Sequence, residues 1–205
     1  MPRSTTAQRL SRSDTAGMYL TILLGAVGIA VTIFTLVNRL VEVVPGRDVP
    51  VLVPFAGERA TLPIGPDGAS VGVSVDQAVV TVPHPADATQ FAIVAQPIVT
   101  GLAIIAGIVL LGLLCWNLAH GRAFTRQNTM IIWWGTAVLV VGWLFDRLFT
   151  TMAVNGALSA VSEYSYDGVL FEMNFTPLFG LLALAVVGAA FQLGERLQRD
   201  TEGLV

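Results

Sequence analysis

Few side chains in this sequence could do chemistry, and the strongest candidates are charges next to apolar runs. Asp146 and Arg147 interrupt one such run, and Arg39 ends another. An ionisable residue at membrane depth is a functional candidate by default, because the bilayer makes its charge costly. Adjacent residues on a helix point about 100° apart, so we expect Asp146 to pair with Arg39 rather than with Arg147. An interhelical clamp, with Arg147 reaching the headgroups, is favoured over an ion or substrate path.

The histidines and serines form no recognisable catalytic or metal-binding pattern. His84 and His120 fall on opposite sides of a membrane by the topology given below, so one chain cannot bring them to one metal ion. Ser159, Ser162 and Ser165 have no histidine close in sequence, and no serine-nucleophile, zinc-peptidase or phosphate-loop motif occurs. We therefore expect a protein that is not an enzyme and that has no catalytic residue, cofactor or metal.

The composition is that of a membrane protein. The 205 residues are 54% hydrophobic and 12% charged, and the mean hydropathy is +0.72, which is too apolar for an ordinary soluble domain. The net charge of -3 gives no basic surface for nucleic acid. Cys115 is the only cysteine, which excludes a disulfide framework within one chain. Arginine in place of lysine, with abundant alanine, valine and glycine, indicates a high-GC bacterium.

Four apolar runs predict a mainly α membrane fold with four transmembrane helices. The second run is uncharged over about 30 Å at 1.5 Å per residue, which matches the hydrocarbon thickness of a bilayer. The first is longer than the core of a signal peptide, so we interpret it as a retained helix. The predicted transmembrane helices are residues 18–40, 98–118, 130–152 and 175–194.

The segments between these helices predict the orientation. The turn 119–129 carries Arg122 and Arg126, and short arginine-bearing loops stay on the cytoplasmic side. We therefore expect the inner (plasma) membrane of a bacterial cell, with both termini in the cytoplasm. The other segments are then a cytoplasmic N-terminal segment 1–17, an outer segment 41–97, an outer segment 153–174 and a cytoplasmic tail 195–205.

The first outer segment predicts a small extracytoplasmic β-rich domain between the first two helices. Its valines alternate as in strands, and a Gly-Pro-Asp-Gly turn signal separates two of its runs. A domain of this size without disulfides has a marginal core, so we expect it to rest on helix ends or on another subunit. The β-rich runs are 49–53, 71–75 and 77–82, and a further strand over 168–175 is expected to join them.

The cytoplasmic turn and tail are the expected contact surface for a cytosolic partner, although for the tail alone a solvated helix end is favoured over a docking surface. Gly121 predicts a left-handed end to the second helix, and either Thr125 or Asn128 can cap the third. The candidate contact residues are Arg122, Phe124, Arg126, Asn128, Leu197 and Arg199.

Two short segments carry a resemblance to a known family. The turn segment 121–124 (Gly-Arg-Ala-Phe) followed by Asn128, and the C-terminal segment 191–205, resemble the DUF2975 family of bacterial four-helix membrane proteins. The resemblance covers residues 98–205 best. It implies no established activity, and it implies a small cytosolic regulator of helix-turn-helix type as a partner.

Two functions follow from these observations. The first is a non-enzymatic regulatory or sensory membrane partner, whose outer domain binds a signal and whose inner face contacts a cytosolic protein. The alternative is a small transporter or channel subunit, which would need a homo-oligomer to enclose a path through its small-residue helices. An enzyme acting on lipid or cell-wall precursors ranks third. The lipid bilayer is a partner in each case, and nucleic acid is not contacted directly.

Overall fold

The computed structural model describes residues 12–163, 165 and 175–202. Within them the chain is mainly helical, with four α-helices and one antiparallel β-hairpin. In chain order the elements are α1 (Arg12–Val43), β1 (Val49–Leu62), β2 (Val71–Val82), α2 (Asp87–Ala119), α3 (Arg126–Val161) and α4 (Thr176–Glu202). The predicted strand over 168–175 falls almost entirely outside the described residues.

Each of the four helices contains a stretch that is long and apolar enough to cross a membrane. The stretches are Thr15–Val43, Asp87–Ala119, Arg126–Val161 and Thr176–Leu197. The prediction of a mainly helical chain with four helices of this length and composition is confirmed.

Three helices extend well beyond their predicted ends: α4 continues to Glu202 rather than ending at residue 194, and α2 and α3 show the larger differences. α2 begins at Asp87 rather than at residue 98, and it contains Pro97. α3 continues to Val161 rather than ending at 152. The predicted limits followed the uncharged runs, and that criterion finds only the part of a helix that suits a bilayer. The extra turns of α2 and α3 bury side chains in a small core instead, so residues 87–97 and 153–161 are helical rather than loop or β-domain.

Contacts between residues divide the chain into two compact units. The helical unit comprises residues 1–36, 99–144 and 174–205, and the hairpin unit comprises residues 37–98 and 145–173. α1, α2 and α3 each contribute one part to the helical unit and one part to the hairpin unit.

The hairpin pairs β1 with β2 over most of their lengths. Val49 lies opposite Val82, and the register shifts between Pro54 and Glu58. Gly57 adopts a positive φ of 84° inside this bulge, which a residue without a Cβ allows at little cost. The runs 71–75 and 77–82 belong to one strand, not two. The predicted Gly-Pro-Asp-Gly turn is present as a single 3-10 turn over Pro66–Gly68.

The core of the hairpin unit combines the inner face of the hairpin with helix ends. Val49, Val51 and Val53 are buried, as their alternation predicts. The helices supply the rest, so the hairpin rests on helix ends as expected for a segment too small to form its own core. The buried residues of this cluster are Val43, Val49, Val51, Val53, Val82, Ala92, Ile93, Ala153, Val154, Ala157 and Leu158.

Small residues bring the helices of the helical unit together. A side chain added at Gly25 would touch Ile108, which places α1 against α2. Gly142 of α3 faces Ala103 of α2 so closely that a Cβ would not fit between them. Many large apolar side chains remain exposed in this unit, among them Leu23, Leu24, Phe34, Phe179 and Val186.

Candidate functional site

A polar network in the hairpin unit joins α2 to α3 around a buried carboxylate. Gln96 Nε2 donates a hydrogen bond to Asp146 Oδ1 at 2.6 Å. Arg147 donates from Nε at 3.1 Å and from Nη2 at 2.8 Å to Asp146 Oδ2. Asp146 is only 9% exposed, and both of its oxygens accept hydrogen bonds, two of them charge-assisted. The buried charge is thus neutralised by its neighbour in sequence.

The predicted pair between Arg39 and Asp146 is wrong. Arg39 Nη1 instead donates to Glu42 Oε2 at 2.6 Å, and its Nη2 donates to the carbonyl of Pro50 at 2.8 Å. No ion pair joins Arg39 to Asp146 within the described part of the chain. Arg39 therefore ties the end of α1 to β1.

The error has a geometric cause. The angle of about 100° between adjacent positions describes where their Cα–Cβ bonds point, but it does not limit a long flexible side chain. The guanidinium of Arg147 folds back to its neighbour's carboxylate. Gln96 was missed, although an amide within the apolar stretch before Pro97 was a signal available in the sequence.

This network acts as a clamp between two helices. Its carboxylate is engaged from both sides by donors on α2 and α3, and breaking such a buried pair leaves an uncompensated charge. Among the described residues, no three His, Cys, Asp or Glu side chains gather where they could bind a metal ion. The arrangement is suited to holding the two helices in register.

Asn128 organises the turn between α2 and α3 in the helical unit. It is fully buried. Its Nδ2 donates to the carbonyls of Arg122 and Ala123, and its Oδ1 accepts a hydrogen bond of 2.7 Å from Asn117 Nδ2. One amide side chain therefore fixes both ends of the turn. The proposal of Asn128 as a direct contact with a partner is corrected accordingly, because its side chain is not accessible.

The ends of the helices at this turn follow the sequence signals. Gly121 has a φ of 73° just beyond α2, which is the predicted left-handed conformation. Thr125 Oγ1 accepts a hydrogen bond of 3.3 Å from the backbone N–H of Asn128, so Thr125 is the cap of α3.

The turn and the last part of α4 form one structure within the helical unit. Thr129 Oγ1 donates to Glu195 Oε2 at 3.1 Å. The rings of Phe124 and Phe191 lie 5.5 Å apart between their centroids, and Phe124 also covers Gly194 so closely that a Cβ there would collide. No local sequence signal indicates that Glu195 reaches α3, because its partner Thr129 is distant in the chain.

The other candidate contact residues lie around this structure. Arg122 and Arg126 are exposed. Phe124 is 46% exposed, so one part of its ring packs on α4 and another part is accessible. Leu197 is 59% exposed. The side chain of Arg199 lies outside the described part of the chain.

A cavity of about 380 Å³ lies among α2, α3 and α4 of the helical unit. Apolar side chains line it, together with the hydroxyl-bearing Thr136. That hydroxyl donates to the carbonyl of Ile132 at 2.9 Å, so it is already used within its own helix. Since an ion or polar substrate would need free polar groups to replace water, this cavity does not form a polar path.

Comparisons of the chain with family models, with curated proteins and with solved structures found no match. The class of protein is therefore inferred from the fold alone. Four helices long and apolar enough to cross a membrane indicate a multi-pass membrane protein.

Proposed function

We propose that this chain is a non-enzymatic, multi-pass membrane protein that acts as a regulatory or sensory partner of a cytosolic protein. The main support for this proposal is the contact between the turn and the end of α4. The Thr129–Glu195 hydrogen bond and the Phe124–Phe191 ring contact join these two segments. Two separate segments thereby present one ordered surface instead of two solvated chain ends.

The composition of this surface suits a protein partner. Arg122 and Arg126 supply exposed positive charge, and Leu197 and Phe124 supply accessible apolar area. Arginine and aromatic residues surrounded by polar groups are typical of protein contact surfaces. A partner with an acidic and apolar face would be complementary, and the resemblance to the DUF2975 family favours a helix-turn-helix regulator.

The proposal includes an orientation. The turn would face the cytoplasm of a bacterial cell, because short loops with arginine are retained there during insertion. Both termini would then be cytoplasmic, and the hairpin unit would lie outside. An outer unit with its own core is a suitable place for a signal to bind.

The test is a purification of the full-length chain in a mild detergent, followed by mass spectrometry of any protein that accompanies it. A shorter chain ending at Leu193 removes Glu195 and Leu197 together. A milder variant, Arg122→Glu/Arg126→Glu/Leu197→Ser, changes the surface without removing the Thr129–Glu195 hydrogen bond. Arg59→Glu, at an exposed position of β1 in the hairpin unit, is the matched charge reversal.

We expect a cytosolic protein to accompany the full-length chain and the Arg59→Glu variant, and to be lost from the triple variant and from the shorter chain. A companion that remains with both altered chains would contradict the proposed surface. A homo-oligomer without any companion would instead favour the alternative function, a small transporter or channel subunit.

A further inference from the structure

A small polar pocket lies in the hairpin unit, between α3 and the hairpin. Its volume is about 230 Å³, which is below the range of drug-sized pockets and suits a small chemical group. Its lining residues are Leu52, Pro54, Gln77, Arg147, Thr150, Thr151 and Val154.

Regular elements build both walls of this pocket. On α3, Arg147 is followed by Thr150, Thr151 and Val154, at spacings of three, four and seven residues that place all four on one helix face. On the hairpin, Leu52 and Pro54 are two residues apart on β1 and so share a face. Gln77 of β2 lies directly opposite Pro54. The pocket therefore does not depend on a loop.

The polar groups of the pocket have hydrogen-bonding capacity left. Thr21, Thr32, Thr35 and Thr136 all donate their hydroxyl hydrogens to carbonyls of their own helices. Within the described residues, the side chains of Thr150, Thr151 and Gln77 make no hydrogen bond. Arg147 uses Nε and Nη2 on Asp146, and its Nη1 has no partner in the same part of the chain.

These donors match an oxyanion. The side of the Arg147 guanidinium that faces away from Asp146 supplies directed N–H groups, while its positive charge is paired with the Asp146 carboxylate. The two threonine hydroxyls and the amide of Gln77 supply further donors. Among the described residues, no carboxylate that would repel an anion lines the pocket, and Leu52, Pro54 and Val154 offer apolar contact to an attached carbon chain.

We propose that this pocket binds a phosphate group, because a phosphate presents three or more oxygens to match the several donors. The group could be free phosphate or the headgroup of a phospholipid. Arg147 follows the uncharged run 127–145 of α3, so a lipid phosphate would lie at its depth if α3 crosses the membrane. The lipid source thus rests on the proposed membrane insertion, whereas binding of free phosphate does not.

The test uses the full-length protein in a maltoside detergent, which contains no phosphate. Calorimetric titration with inorganic phosphate is the first arm, and titration with short-chain phosphatidic acid is the second. The variant Thr150→Val/Thr151→Val keeps the shape of both side chains and removes both hydroxyls. Thr32→Val/Thr35→Val on α1 is the matched control, because those hydroxyls bond their own helix.

We expect the wild-type protein and the α1 control to bind a probe equally, and the Thr150→Val/Thr151→Val variant to bind it about tenfold more weakly or worse. Binding of inorganic phosphate would identify the free anion as sufficient, and binding of phosphatidic acid alone would identify the lipid headgroup. Arg147→Lys retains a charge for Asp146 but loses the planar fork, and it should weaken binding too.

Absence of binding by both probes would overturn the proposal. Binding that is unchanged in both Thr150→Val/Thr151→Val and Arg147→Lys would overturn it as well. The proposed function is tested separately, since the companion protein is expected on the turn and α4, in the helical unit. Loss of phosphate binding without loss of the companion would therefore affect only the pocket.

Discussion

The helical unit and the hairpin unit differ in the side chains that they bury: among the described residues, most buried side chains of the hairpin unit are apolar, whereas several of those in the helical unit are polar. In the helical unit, Phe179 is 72% exposed while Asn128 is fully buried. In the hairpin unit, Val49 and Val53 are fully buried, while acidic residues such as Glu58 are exposed. Phe179 belongs to α4, which lies wholly in the helical unit, whereas Val49, Val53 and Glu58 belong to β1 of the hairpin unit.

With the proposed membrane insertion, the helical unit would face lipid and the hairpin unit would face water. Apolar area exposed to water costs about 25 cal/mol per Å², whereas the same area exposed to lipid costs almost nothing because lipid tails are equally apolar. The hairpin unit would therefore be stabilised by removing valine and alanine side chains from water. The helical unit would depend instead on close helix packing and on hydrogen bonds between its few polar groups. The same substitution should therefore change the free energy of unfolding by different amounts in the two units.

The largest expected effect is at Asn128 in the helical unit. Asn128→Ala removes hydrogen bonds to Asn117, Arg122 and Ala123 from a fully buried site. We expect a loss of about 3–4 kcal/mol in the free energy of unfolding, because each lost bond costs about 1 kcal/mol and Asn117 is left without this partner. Unfolding in mixed detergent micelles measures the change.

The neighbouring Gln127 is exposed and provides the control for this prediction. Gln127→Ala should change the free energy of unfolding by less than about 0.5 kcal/mol. Equal free energies of unfolding for the two variants would show that the buried amide does not stabilise the turn. They would also contradict the proposed importance of buried polar groups in the helical unit.

The second prediction compares one substitution in both units. Val53→Ala removes two methyl groups from a fully buried site in the hairpin unit, at an expected cost of about 2–3 kcal/mol from lost burial and the remaining cavity. Val27→Ala makes the same change on α1 of the helical unit, where Val27 is 55% exposed, and should cost less than about 0.5 kcal/mol.

Limited proteolysis of the hairpin and unfolding in detergent measure this pair of variants. A similar loss for Val53→Ala and Val27→Ala would mean that α1 is covered by protein at Val27, for example in an oligomer. In that case a protein interface, and not contact with lipid, would surround Val27.

The fold was predictable where one physical property decides it. Uncharged runs located all four helices, and alternating valines with a Gly-Pro-Asp-Gly turn located the hairpin. The lengths of α2 and α3 were not predictable by the same rule, because residues 87–97 and 153–161 contribute side chains to the core of the hairpin unit. There the helical signal is the spacing of Ala153, Ala157 and Leu158, which a search for uncharged runs ignores.

The polar residues of the candidate site were predictable from the sequence, but the partners of their hydrogen bonds were not. Asp146, Arg147 and Asn128 stand out as polar residues beside apolar runs, and all three make hydrogen bonds in the structure. Their partners depend on which helices are adjacent and on how far a side chain reaches. The local sequence determines neither the adjacent helices nor the reach of a side chain. This explains both the incorrect Arg39–Asp146 pair and the missed Gln96.

The smallest effect is expected where helix packing alone is changed. Gly142→Ala places a Cβ against Ala103 on the neighbouring helix, closer than two such atoms approach in proteins. We expect a loss of about 1–2 kcal/mol from the forced separation of α2 and α3. Gly112→Ala is the matched control, because a Cβ at Gly112 meets nothing within 4 Å, and its better helix propensity should stabilise α2 by up to about 1 kcal/mol.

Changes of opposite sign in the free energy of unfolding of the two variants would show that close packing, and not the amount of apolar surface, holds the helical unit together. Equal shifts would mean that the two helices can move apart freely there.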